Sequence, residues 1–279
     1  MRGHGDNCVG RSFIEAEDDL KMTKIGIIGG TRGMGNWFAR FLEKEGHAVR
    51  VFGRNVSEAD IAEMADTCQV VVVSVPMGAT GEVIAKVGPH MRKASLLMDL
   101  TSLKRDSVKT MLETSVSEVI GCHPLFGPRI NSIAGQNVVL CPARARKWLS
   151  WLTDIFEKNG AFVLAATPEK HDQMMAIVQG LNHFNTIMMG LVLSKAGVSL
   201  SELMKFATPG FRAKMEIMER VFCQNPGLYA DILTMNPDIH RHIEAYEQDV
   251  AQLKKLICQG NSAGIADVIE KHASFFEVI

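Results

Sequence analysis

Apolar and polar positions change their period along this chain, and the changes mark its elements. Lys24–Ile28 is a strand-length apolar run that ends in glycines. After it, Met34, Trp37, Phe38, Phe41 and Leu42 recur at three- and four-residue spacings and predict a helix over residues 34–45. Residues 49–52 predict a second strand, 58–65 a short helix and 70–74 a buried third strand. Further strands are expected at Leu96–Asp99, 119–122, 138–141 and Phe162–Ala165, with helical stretches between most of them. Strands separated by helices argue for a largely parallel sheet covered on both faces, an α/β arrangement. From Pro168 onward the pattern is helical and rich in methionine, with breaks at Gly197, Pro209, Pro226 and Pro237. Two domains are therefore expected, over residues 23–166 and 167–279, the second all-α. Residues 1–22 are polar and aperiodic and read as a disordered leader; they lack the apolar segment of a secretory signal.

Composition narrows the picture. A chain of 279 residues fits two domains of about 150 residues each. With 47% apolar and 22% charged residues, wholesale disorder and fibrous repeats are excluded. Thirty basic against thirty-one acidic side chains leave a net charge of −1, so no broad basic face for nucleic acid is expected. No uninterrupted apolar run approaches the roughly 18 residues that cross a bilayer, and a soluble protein without a membrane partner is expected. The six cysteines include no C-x-x-C pair, which gives neither a zinc knuckle nor a disulfide framework. Free thiols fit a reducing, cytoplasmic setting, and no metal site is expected.

The first strand runs into Gly29, Gly30, Thr31, Arg32, Gly33, Met34 and Gly35, which open the first helix. Glycines in this place let the backbone turn tightly and approach a pyrophosphate, which then rests on the amides of the helix N-terminus. The strand–loop–helix context makes the loop a dinucleotide site and residues 23–166 a Rossmann-type domain. Read as G-x-G-x-x-G ending at Gly35, the loop has Arg32 at the middle glycine, where a side chain either crowds the pyrophosphate or adds a cation to it. The second strand ends in Phe52-Gly53-Arg54, with no carboxylate for a ribose 2′-hydroxyl. A small residue followed by Arg54 leaves room and positive charge for a 2′-phosphate, so NADP is favoured, with NAD as the alternative.

Ligands of open α/β sheets sit where strands end. Ser74 and Pro76 follow the third strand, Thr101, Ser102 and Lys104 the fourth, and His123 lies between a strand end and Pro124, placed to act as a base near neutral pH. In the helical half, Gln179 and His183 stand four residues apart on one helix face. Arg212 falls in the first turn of a helix that Pro209 opens, and its planar fork suits a carboxylate.

The segments IGIIGGTRGMG, VVSVP, MDLTSLK, GCHPLFGP, EKHDQMMAIVQGLNHF, TPGFR and ERVFCQNPGLYADI, in this order, make the chain resemble prephenate dehydrogenases over residues 24–279. The resemblance implies a C-terminal all-α dimerisation domain, a homodimer, and oxidative decarboxylation of prephenate to 4-hydroxyphenylpyruvate in tyrosine biosynthesis. It implies that His123 takes the substrate hydroxyl proton while Ser74 holds the geometry. Arg212 would bind a substrate carboxylate, and Gln179 and His183 would line the pocket. Ser74 and Pro76 also fall on the cofactor side, and Ser102 and Lys104 are either near the nicotinamide or structural. No fused chorismate mutase or regulatory domain is recognised, so a stand-alone dehydrogenase is expected. Arogenate, which carries an amine in place of the keto group, is the rival substrate. A generic reductase of the same plan would require neither HPLFGP nor TPGFR. An NADP-sensing protein would keep the glycine loop without needing His123, Ser74 and Arg212.

Overall fold

The computed structural model describes residues 22–53, 56–223 and 225–277. Arg54, and all of the 1–22 leader except Met22, lie outside the described residues. The chain divides into two compact units, Met1–Met175 and Ala176–Ile279.

The first unit alternates β1 (Lys24–Ile28), α1 (Gly33–Lys44), β2 (Ala48–Phe52), α2 (Glu58–Thr67), β3 (Val70–Val73), α3 (Met77–Val87), β4 (Leu96–Asp99) and α4 (Arg105–Thr114). It continues through β5 (Glu118–Pro124), β6 (Asn137–Arg144), α5 (Lys147–Lys158), β7 (Phe162–Ala165) and α6 (Pro168–Met175). The strands form one sheet in the order β2-β1-β3-β4-β5-β6-β7. All neighbours are parallel except β5 and β6. The link from β5 to β6 contains no helix, and a parallel return needs a crossover, so this pair turns back antiparallel. β2 and β3 flank β1 on opposite sides, so the winding direction reverses between β1 and β3, the place where such sheets open a ligand crevice.

The all-valine β3 shows why this sheet is legible. Val70 and Val72 enter one apolar layer with Ile25, Ile27 and Phe38, while Val71 and Val73 enter the other with Ile28, Met64 and Ile84. A strand that contributes alternate residues to two cores has no polar face to show. On one side the core is closed by Trp148 of α5, which is fully buried. Its Nε1–H donates to the Ala94 carbonyl at 2.9 Å, and its ring meets Trp151 edge-on at 5.2 Å. Replacing Trp148 with Ala leaves a large cavity and an unpaired carbonyl. A loss of about 3–5 kcal/mol is expected from denaturant midpoints; a loss below about 1 kcal/mol would mean that the layer collapses to fill the space.

The break between units falls beyond the change of pattern at Thr167, because α6 packs with the sheet unit. The second unit begins with a π-helical segment, Ala176–Leu181, where the sequence pattern predicts an ordinary helix. It continues through α7 (Asn182–Ser194), α8 (Leu200–Leu203), α9 (Pro209–Cys223), α10 (Pro226–Met235), α11 (His240–Cys258) and α12 (Ser262–Ala273). The expected breaks are real. Gly197 adopts φ +73°, Pro209 and Pro226 open α9 and α10, and Pro237 lies in a 3-10 turn. By length and composition alone, the helical run Pro168–Ser194 is apolar enough to cross a membrane, a feature that a search for uninterrupted apolar runs passes over. Among the described residues the cysteines are free thiols.

Candidate active site

The glycine loop is wedged between the ends of three strands. Gly29 donates its N–H to Phe52 of β2 at 2.8 Å, and Ser74, after β3, donates to Ile28 of β1 at 2.8 Å. A Cβ on Gly29 would stand 2.1 Å from the Ser74 carbonyl oxygen, and Gly29 has φ +83°, so no side chain fits there by space or by conformation. A Cβ on Gly35 would stand 2.6 Å from the Gly29 oxygen and 3.0 Å from the Ser74 Cβ. Ser74 is thus part of the loop's seat. Arg32 occupies an extended backbone (φ −147°) that any residue adopts, and its side chain is exposed; the left-handed residue is its neighbour Gly33, at φ +56°. The arginine therefore costs the loop nothing in conformation.

Two helix N-termini open beside this seat. Neither α1, capped by Arg32, nor α3, capped by Pro76, has a side-chain cap or an acidic residue in its first turn. Their leading amides and the positive ends of their dipoles are left to an anion. Close backbone approach, room only for glycine and uncapped helix starts fit a dinucleotide pyrophosphate.

At the end of β4, Asp99 and Lys104 form a fully buried ion pair. Lys104 Nζ also donates to the Cys122 carbonyl at 3.1 Å and to Thr101 Oγ1 at 3.3 Å. Lys104 therefore ties the β4–α4 loop to β5 at the residue before His123, while Ser102 sits half-buried in the same loop. His123 lies on β5 and is only 4% exposed. Burial, then the neighbouring His171 and Lys104, push its pKa well below the ordinary histidine value, so the imidazole is neutral and able to accept a proton across the neutral range. Its Nδ1 lies 2.9 Å from Nε2 of His171 on α6, the two rings edge to face. His171 Nδ1 lies 2.7 Å from Asp172 Oδ1, and Asp172 accepts the backbone N–H groups of Lys104 and Arg105 at the start of α4, at 2.8 and 3.0 Å. Sequence reasoning assigned no role to His171 or Asp172. The only signal was the adjacent His-Asp pair within EKHDQ, and nothing in the pattern placed it against β5.

In the second unit, Gln179 lies in the π-helical segment and His183 in the first turn of α7, which packs on α9 and α10. His183 meets the Tyr229 ring edge-on at 4.8 Å, and burial lowers its pKa. Its Nδ1 is buried without a hydrogen-bond partner among the described residues. Arg212 stands in the first turn of α9, where Thr208 caps the helix by accepting the Phe211 N–H. The exposed guanidinium of Arg212 donates to the Met204 carbonyl at 2.9 Å.

Comparison with known proteins completes the picture. The chain matches the prephenate dehydrogenase nucleotide-binding domain over residues 38–165 and the prephenate dehydrogenase dimerization domain over residues 167–271. It is 37% identical over 271 residues to the probable arogenate/prephenate dehydrogenase of Methanocaldococcus jannaschii, covering 90% of this chain and 60% of that protein. It is 34% identical over 256 residues to the T-protein of Haemophilus influenzae, covering 91% and 67%. The chain thus spans only about three fifths to two thirds of the length of these curated relatives. Among solved structures, the prephenate dehydrogenase from A. aeolicus in complex with hydroxyphenyl propionate and NAD+ shares the fold. Its TM-score is 0.71 at 21% identity, over 92% of this chain and 99% of that one. Two matched domains that together cover most of the sequence decide the relationship: the chain belongs to the prephenate dehydrogenase family.

Proposed function

We propose that this chain oxidatively decarboxylates prephenate to 4-hydroxyphenylpyruvate, with NADP as hydride acceptor, as a cytoplasmic homodimer. The observation that carries the reading is His123, a buried, neutral imidazole at the end of a sheet strand in a chain whose glycine loop seats a dinucleotide. Bound NADP supplies the hydride acceptor. Gly29, Gly30, Thr31, Arg32, Gly33, Met34 and Gly35 hold its pyrophosphate with the amides of α1, and Pro76 and Ser102 border the same crevice. His123 accepts the proton of the ring hydroxyl as that carbon is oxidised, while Ser74 keeps the geometry. Positioned general-base assistance of this kind is worth roughly 10²–10⁴ in rate. Arg212 takes a substrate carboxylate in its planar fork, for no carboxylate pairs with it among the described residues. Gln179 and His183 line the pocket, and the unpartnered Nδ1 of His183 supports a polar ligand there. Loss of carbon dioxide aromatises the ring and needs little beyond positioning.

The choice of NADP is supported by the end of β2, where Gly53 offers no carboxylate to ribose hydroxyls. Arg54, the cation in this reading, lies outside the described residues. The homodimer is supported by the matched dimerization domain and by apolar side chains left open in the second unit, including Val192, Phe206 and Ile257. Light scattering is expected to give twice the 30.7 kDa chain mass, and a single-chain mass would count against the dimer.

The deciding assay crosses prephenate and arogenate with NADP and NAD and follows reduced nicotinamide. Turnover with prephenate and NADP is expected. Prephenate turnover with NAD alone overturns the cofactor choice, activity confined to arogenate moves the substrate, and silence in all four mixtures favours a nucleotide-sensing role.

A further inference from the structure

We infer that His171 and Asp172 are positioning residues for His123, which set its tautomer so that Nε2 is the nitrogen that takes the substrate proton. The inference rests on the reading of His123 as the base and names the atom and the machinery behind it. The argument starts at the N-terminus of α4. Asp172, as a carboxylate, can only accept hydrogen bonds, and it already accepts the Lys104 and Arg105 amides there. Its Oδ1 also lies 2.7 Å from His171 Nδ1, so that nitrogen must carry the hydrogen. With one hydrogen on its ring, His171 then has its lone pair on Nε2. That atom lies 2.9 Å from His123 Nδ1, which must be the donor of the pair. With hydrogen on Nδ1, the lone pair of His123 is on Nε2. When Nε2 takes the proton from the substrate oxygen, the O–H bond breaks and the new N–H bond leaves an imidazolium. Its Nδ1–H faces a histidine backed by a carboxylate and a helix start. The second ring nitrogen of a working histidine is usually fixed in this way by its partner.

The rest of the site agrees with a device that holds one ring in place. His123 and His171 are 4% and 2% exposed, so both rings are held among protein groups. Lys104 holds the backbone at Cys122 while its own amide binds Asp172, so one loop fixes both ends of the line from β5 to α6.

The first test reads the enzyme without substrate. Nitrogen resonances of histidine-labelled protein are expected to show His123 protonated at Nδ1 and unprotonated at Nε2. The opposite assignment overturns the inference, whether or not prephenate is the substrate. The second test compares His171→Leu with His171→Gln. In the Gln variant, the side-chain oxygen can accept the His123 N–H. The Leu variant is expected to mix the two tautomers and to lose roughly tenfold or more in kcat, with KM for both substrates unchanged. The Gln variant is expected to recover the tautomer and most of kcat. Equal kcat in the Leu and Gln variants, or a change in KM alone, would show that His171 only fills space.

Discussion

Replacing His123 with Asn is expected to lower turnover by about two to four orders of magnitude while NADP binds almost as before. The two effects are expected to separate because the groups proposed to seat the dinucleotide, Gly29, Gly35 and the first turn of α1, meet at the ends of β1 and β3, and His123 stands on β5. The amide of Asn can hydrogen-bond to the hydroxyl but is no base at neutral pH. The variant should also lose the acid limb of the pH–rate profile. With His123 as the base, the parent is expected to lose activity where His123 becomes protonated, and burial places that point well below the ordinary histidine value. Single-turnover rates and cofactor titration on the same preparation check both halves. Turnover at the parent rate would remove His123 as the base, and a parallel loss of cofactor binding would make its role structural.

The second large effect is expected at Gly53. Gly53→Asp should reverse the cofactor preference, lowering kcat/KM for NADP about a hundredfold relative to NAD. Among the described residues, a Cβ at Gly53 meets only the Thr31 methyl, at an ordinary 3.6 Å, so the new side chain enters without a clash there. Its carboxylate would accept the ribose hydroxyls of NAD and repel a 2′-phosphate. Two unit charges about 4 Å apart at a protein surface interact by about 4 kcal/mol, and half of that already exceeds tenfold. Kinetics with both cofactors on parent and variant check this. An unchanged ratio would place the 2′-phosphate away from Gly53, and a parent that already prefers NAD would overturn the argument from the β2 end.

Much of this fold was legible because its strands are buried on both sides. Val70–Val73, Leu96–Asp99 and Lys24–Ile28 read as apolar runs, since a strand feeding two cores carries few polar residues in its middle. Their ends were less legible. β5 extends back to Glu118, whose carboxylate accepts the Arg146 and Trp148 amides at the start of α5, so a polar residue there belongs to the strand. The antiparallel turn from β5 to β6 and the π-helical segment through Gln179 left no periodic signature. The glycine loop and the His123 strand end were visible as local strings, because a tight turn and a strand terminus are local events. Arg32 was the doubtful member of the loop, and its backbone is extended, a conformation any residue adopts.

The sequence alone therefore determined the α/β unit, its helical successor, the dinucleotide loop and the family, all of which rest on residues near one another in the chain. Only the tertiary structure decided that α6 belongs with the sheet and that Lys104 is fully buried in an ion pair with Asp99. Only it placed His171 and Asp172 behind His123. Those relations join residues on separate elements, 48 positions apart for the two histidines. Hydrogen bonds act over about 3 Å of space, whatever the distance along the chain.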